Sequence, residues 1–132
     1  MIGVDSNVLV RFFVNDDPRQ STLAKRFMDE RTVDDPAFIS VVVLVELVWA
    51  LEQIYDYERT QIHLALSVLL GSGNIAIERE DVTKEAIGHA GAANADIADC
   101  IIAALARVAD ARATVTFDRE AARRIPGMEL LE

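Results

Sequence analysis

Cysteine is almost missing from this chain of 132 residues. Cys100 is the only one, so no disulfide can close within the chain, which suits a reducing compartment. Histidine is scarce as well: His63 and His89 stand far apart and in no zinc-ligand spacing. Cations are outnumbered, with 13 Lys and Arg against 22 Asp and Glu, for a formal charge of −9. Such a chain cannot grip nucleic acid by bulk charge. A phosphate-bearing substrate would need a local arginine patch or a bound metal. No apolar run is long enough to cross a bilayer; the longest, Val41 to Leu51, is interrupted by Glu46. No basic stretch followed by an apolar one opens the chain, so no signal peptide is expected. A cytoplasmic protein outside any membrane is the resulting expectation. P-loop, dinucleotide and Ser-His-Asp signatures are absent too.

What the chain does have is apolar mass. Just over half of the residues are hydrophobic, enough for a real core. The length predicts one domain over residues 1–132. Short β-like runs alternate with helical stretches. Ile2-Gly3-Val4, Phe38-Ile39, Ile75 to Ile77, Ala113 to Phe117 and Met128 to Leu131 read as strands. Between them lie helices at Ser6 to Val14, after Asp17-Pro18, from Val41 to about Tyr55, around Ile62 to Leu70, around Val82 to Ala93, after Asp96, and near Arg119 to Ile125. Alternation of this kind predicts an α/β fold, with a mainly parallel central sheet of about four or five short strands flanked by helices on both faces.

The acids carry the functional signal. Asp5 and Asp118 each end a strand and precede a helix. Each is either an N-cap or a site residue. Asp96 and Asp99 open an apolar helix and read either as cap and first-turn acid or as ligands. Glu46 has no cap to make. Val41 to Val45 precede it and Leu47 to Leu51 follow, so it is expected to be buried, either in an ion pair with an arginine or in a site. In an open α/β sheet, sites form outside the carboxyl ends of the strands. If Glu46 points there as well, several carboxylates converge and need cations or protons to neutralise them. All-oxygen donors favour Mg²⁺ or Mn²⁺ over zinc. One or two such ions suit phosphoryl displacement, so the residues point to metal-dependent phosphodiester chemistry. Asn7 and Thr116 are auxiliary candidates near the acids. Arg119, Arg123 and Arg124 are either a solvated helix face or contacts for RNA phosphate or for a partner's carboxylates.

At these residues the chain resembles the PIN-domain ribonucleases, and among them the VapC-type toxins of type II toxin–antitoxin pairs. The matching pieces are IGVDSNVLVRFF, FISVVVLVELVWAL, DIADCIIAALA, VTFDREAARR and GMELL, in the family's order and over nearly the whole chain. The resemblance implies an acidic quartet at Asp5, Glu46, Asp99 and Asp118 as catalytic and metal-binding residues, with Asp96 as a more variable fifth acid. It also implies a PIN-like fold, Mg²⁺- or Mn²⁺-dependent endoribonuclease activity, a VapB-type antitoxin that blocks the site, and a homodimer. Gly3 departs from the pattern, which favours a bulkier apolar residue there. Two rival classes remain. One is a catalytically silent PIN-like module that binds a protein through the apolar Val8, Leu9, Phe12 and Phe13. The other is a phosphatase or receiver-like α/β domain, which needs a basic partner for its aspartate, and no lysine is placed for that.

Overall fold

The computed structural model describes Met1–Glu132. The chain folds into two compact units, Met1–Glu78 and Arg79–Glu132. No helix is long and apolar enough to cross a membrane.

The first unit holds β1 (Ile2–Gly3), α1 (Ser6–Phe13), α2 (Pro18–Asp29), β2 (Ala37–Ile39), α3 (Val41–Gln53), α4 (Arg59–Leu70) and β3 (Ile75–Ile77). Its strands pair in the order β1-β2-β3, all parallel, with Ile2 beside Ala37 and Ala37 beside Ile75. Local chemistry explains the starts of α2 and α3. Asp17 accepts a hydrogen bond from the Gln20 amide at 3.0 Å and Pro18 follows at the first helical position. Ser40 accepts from the Val43 amide at 3.2 Å. A side chain at Gly3 would meet open space, so no close contact demands glycine there. Leu9, Ile39, Leu44, Leu47, Leu51, Ile62, Leu66 and Leu69 are fully buried and make the core of this unit.

The second unit holds α5 (Glu80–Ala93), α6 (Ile97–Val108), β4 (Thr114–Thr116), α7 (Arg119–Arg124) and β5 (Met128–Leu130). β4 and β5 form a parallel pair, Thr114 beside Met128. Ala86, Ile87 and Ala90 of α5 and Ile101, Ala103 and Ala104 of α6 are buried; these mostly small side chains suit closely packed helices. α5 ends at Asn94 in the left-handed conformation (φ 51°), where Asn is tolerated better than most residues. The five expected strands are present and every ladder is parallel, but they form a three-stranded and a two-stranded sheet. With two or three residues each, the strands offer few rungs for a continuous ladder.

One expectation fails. α3 is apolar in sequence on nearly every side, yet it is not buried all round. Leu44, Leu47, Val48 and Leu51, at i, i+3, i+4 and i+7, face the core. Val42 and Trp49 are 66% and 60% exposed, and Glu46 between them is exposed too. These three positions lie four and three residues apart, on one outward stripe.

This orientation predicts a contrast between neighbouring positions. Leu47→Ala should cost about 2–5 kcal/mol, and Trp49→Ala about 0.5 kcal/mol or less, in urea unfolding followed by circular dichroism. Similar losses at the two positions would contradict the burial pattern of α3.

Candidate active site

Parallel pairing sets the carboxyl ends of β1, β2 and β3 along one sheet edge. Asp5, Ser40 and Glu78 lie just past that edge. Ser40 caps α3, and the Glu78 carboxylate accepts a hydrogen bond from the Val41 amide at 2.9 Å. Both are therefore engaged with the first turn of α3. Asp5 is different. It stands at the N-cap position of α1 with extended backbone, but its side chain makes no capping hydrogen bond. Its carboxylate is exposed, and capping does not account for it.

Glu46 also departs from expectation. It is exposed rather than buried, and no arginine pairs with it. Instead the Ser6 hydroxyl donates to its Oε2 at 2.8 Å. Ser6 directly follows Asp5, so this bond ties Glu46 to the start of α1. The sequence offered no sign of this pairing, because Ser6 and Glu46 are forty positions apart. A groove of about 570 Å³ runs between α1 and α2, lined by Val8, Leu23 and Phe27, with Asp5 and Asn7 at its rim. Arg11 also lines it, but its guanidinium is held by Gln20, Asp16 and the Tyr55 hydroxyl.

In the second unit, capping and clustering coincide. Asp96 caps α6 by accepting from the Asp99 amide at 2.9 Å. Asp118 caps α7 by accepting from the Ala121 amide at 3.0 Å. The Asp118 amide in turn donates to the Thr116 hydroxyl at 3.0 Å, so Thr116 fixes the turn that presents Asp118. Asp99 itself caps nothing. Its pKa is raised above the ordinary carboxylate value, first by burial and then by the negative charges of Asp96 and Asp118. Asp99 is thus within electrostatic reach of both Asp96 and Asp118. Capping occupies one oxygen of Asp96 and one of Asp118, and a carboxylate has two. Hard oxygen donors whose charges repel one another match a divalent cation in donor type and in sign. No group of three His, Cys, Asp or Glu side chains stands in a metal-holding geometry.

The candidate arginines differ in how they are engaged. Arg123 and Arg124 both pair with Glu120, Arg124 at 2.9 Å. Arg124 also donates to the Asn94 carbonyl at 2.8 Å, closing the end of α5. Arg119 is exposed and forms no ion pair. Among the other residues weighed, Cys100 is buried in α6, His89 is exposed and His63 is half-buried.

The chain belongs to the PIN-domain family, whose model, described as PIN domain, matches residues 2–127. It is similar to a VapC ribonuclease from Aquifex aeolicus (strain VF5), with 24% identity over 116 residues, covering 88% of this chain and 86% of the relative.

The raised pKa of Asp99 has a stability consequence. Between the unfolded and the raised folded pKa, the native state binds more protons than the unfolded one, so stability falls as pH rises through that window. Asp99→Asn removes the penalty. In metal-free protein at neutral pH the variant should therefore melt above wild type, and the difference should vanish below the unfolded carboxylate pKa. Calorimetry across pH checks this; a variant that melts lower at neutral pH would contradict the repulsion.

Proposed function

We propose that this protein is a Mg²⁺- or Mn²⁺-dependent endoribonuclease and the toxin of a type II toxin–antitoxin pair. The observation that carries the reading is Asp99, a carboxylate held partly out of water beside Asp96 and Asp118, at a cost that a structural cap would not require. Family membership and the likeness to the Aquifex VapC ribonuclease support it.

In this reading Asp5, Glu46, Asp99 and Asp118 hold one or two ions, with Asp96 as a fifth candidate ligand. A bound divalent ion supplies a nucleophilic water at neutral pH and offsets charge that builds on the phosphoryl oxygens. The chain's own contribution is placement. Ser6 orients Glu46 through its hydroxyl, and Thr116 orients Asp118 through its amide. Asp118 is held again by its cap to Ala121. The proposed reaction is hydrolysis. Water attacks phosphorus in line, the 3′ oxygen leaves with a proton, and the products carry a 3′-hydroxyl and a 5′-phosphate. Asn7, exposed at the groove rim beside Asp5, is the auxiliary polar group on that side. The proposed partners are an RNA substrate, a VapB-type antitoxin and a second copy of the chain, in the cytoplasm.

Purified protein freed of antitoxin should cleave cellular RNA with Mn²⁺ or Mg²⁺ and stop on adding EDTA. Asp5→Asn and Asp118→Asn should abolish cleavage while leaving the fold intact. The first removes no capping bond, and in the second Asn is itself a good N-cap. Wild-type rates from either folded variant would show the site to be misassigned. Ser6→Ala should raise the Mn²⁺ concentration at half-maximal rate by about ten- to a hundredfold. Induced alone in a bacterial host, the wild-type chain should arrest growth and the Asp5→Asn form should not.

A further inference from the structure

Phe117 is the most exposed large hydrophobic side chain in the protein, at 80%, and Val115 is 59% exposed. Side chains alternate along a strand, so residues two apart share a face. Val115, within β4, and Phe117, in the bend just past its end, are thus two exposed apolar side chains two residues apart, and the Thr116 hydroxyl between them accepts a hydrogen bond from the Asp118 amide. The three residues from Phe117 to Arg119 are an aromatic ring, a carboxylate and a cation, all exposed. The carboxylate is anchored at 3.0 Å to the Ala121 amide, so the turn that presents the ring is fixed at both ends.

Charge decides what this ring is for. The protein carries a formal charge of −9, so long-range electrostatics repel a polyanion. Arg123 and Arg124 have their charges engaged by Glu120. Arg119 alone of the three forms no ion pair. A strand of nucleic acid approaching Asp118 therefore finds little phosphate neutralisation, and its affinity has to come from a contact that does not depend on charge. Stacking of an unpaired base on an aromatic ring is such a contact, and it tolerates any base because each has a π-face. A protein interface fits the surroundings less well. Anchoring aromatics there sit within a broad desolvated patch, whereas the residues after Phe117 are Asp118, Arg119 and Glu120.

Resting on the ribonuclease reading above, we propose that Phe117 is the base-stacking platform of the site: an unpaired nucleobase of single-stranded RNA packs on its ring against Val115, while Arg119 meets the adjoining phosphate. Phe117 binds substrate and takes no part in bond breaking. It sets the demand for an unpaired nucleotide beside the scissile bond, without specifying which base.

The test separates binding from cleavage. In the Asp5→Asn background with Mg²⁺, a Trp49→Phe, Phe117→Trp protein reports binding of a short single-stranded RNA through one indole. Quenching on addition of RNA, and none with the same sequence as a duplex, is the expected result. In the otherwise wild-type enzyme, Phe117→Ala should weaken RNA binding and raise KM by between about fivefold and about a hundredfold, with kcat little changed. Phe117→Tyr should restore both, and Phe117→Leu should not. An RNA carrying a single abasic position, walked along the strand, should at one position remove the difference between wild type and Phe117→Ala. Because Phe117 is exposed, thermal melting of the variants should match wild type. If Phe117→Ala binds and cleaves RNA as wild type does, or Phe117→Leu serves as well as Phe, the platform is overturned while the nuclease stands. If Phe117→Ala instead loses only a protein partner, the surface is a protein contact and the proposal is again overturned. If the wild-type protein neither binds nor cuts RNA with either metal, both readings fail together.

Discussion

In the second unit the Asp99 carboxylate is set against both burial and like charge. Ile97, Cys100, Ile101, Ala103 and Ala104 bury the face of α6 that follows it, and this draws the carboxylate partly out of water. A fold selected for stability alone would put neutral caps around such a group, since Ser or Asn caps a helix as well as Asp does. Here the cap of α6 is Asp96 and the cap of α7 is Asp118, and both charges push the Asp99 pKa upward. A stability cost concentrated at one point is the usual mark of a functional site.

Capping and ligand duty do not compete in this arrangement. A cap needs one carboxylate oxygen and fixes the side chain to a rigid backbone. A group held in this way loses little further freedom when it binds an ion, which is how a site gains precision from its scaffold. The first unit reaches the same end by division of labour. Ser40 and Glu78 satisfy the first turn of α3. Asp5 is left uncapped at the same sheet edge, and Ser6, the next residue, holds Glu46. Of the acids proposed as ligands, Asp118 is fixed by a backbone amide and Glu46 by a hydroxyl. On the proposed reading Thr116 and Ser6 would therefore be positioning residues, although neither is an acid.

Much of this was legible in the sequence, and the exceptions have physical causes. Some helix starts follow from local chemistry, so Asp17-Pro18 and Asp96 announced themselves, and both make the expected bonds. Strand positions were legible from short apolar runs between turn signals. Pairing was not, because whether five short strands share one ladder depends on contacts far apart in the chain. The burial of Glu46 was inferred from apolar neighbours in sequence, but a helix has an outer face whatever its composition, and Val42, Glu46 and Trp49 occupy it. Asp5 was the reverse case. Its position fits a cap, yet only coordinates reveal that the cap is not made. The engagement of Arg124 by the Asn94 carbonyl is likewise a tertiary contact that spacing cannot foretell.

An acidic nuclease has to solve a problem that a basic one does not. Its substrate is repelled at long range, and the carboxylates that would hold metal add to the repulsion wherever they are unfilled. Adding arginines would relieve this, but in α7 two of the three arginines are matched by Glu120, and one of those also closes a helix end. The remaining resources, on the proposed reading, are short-range ones: a cation that would neutralise the acids, and an uncharged ring beside Asp118. Both act only at contact distance. In that reading RNA gains little from approaching the protein in general and gains affinity when an unpaired nucleotide reaches the acids. On the proposed reading, selectivity for single strands follows from stacking, because only an unpaired base offers its face to the ring.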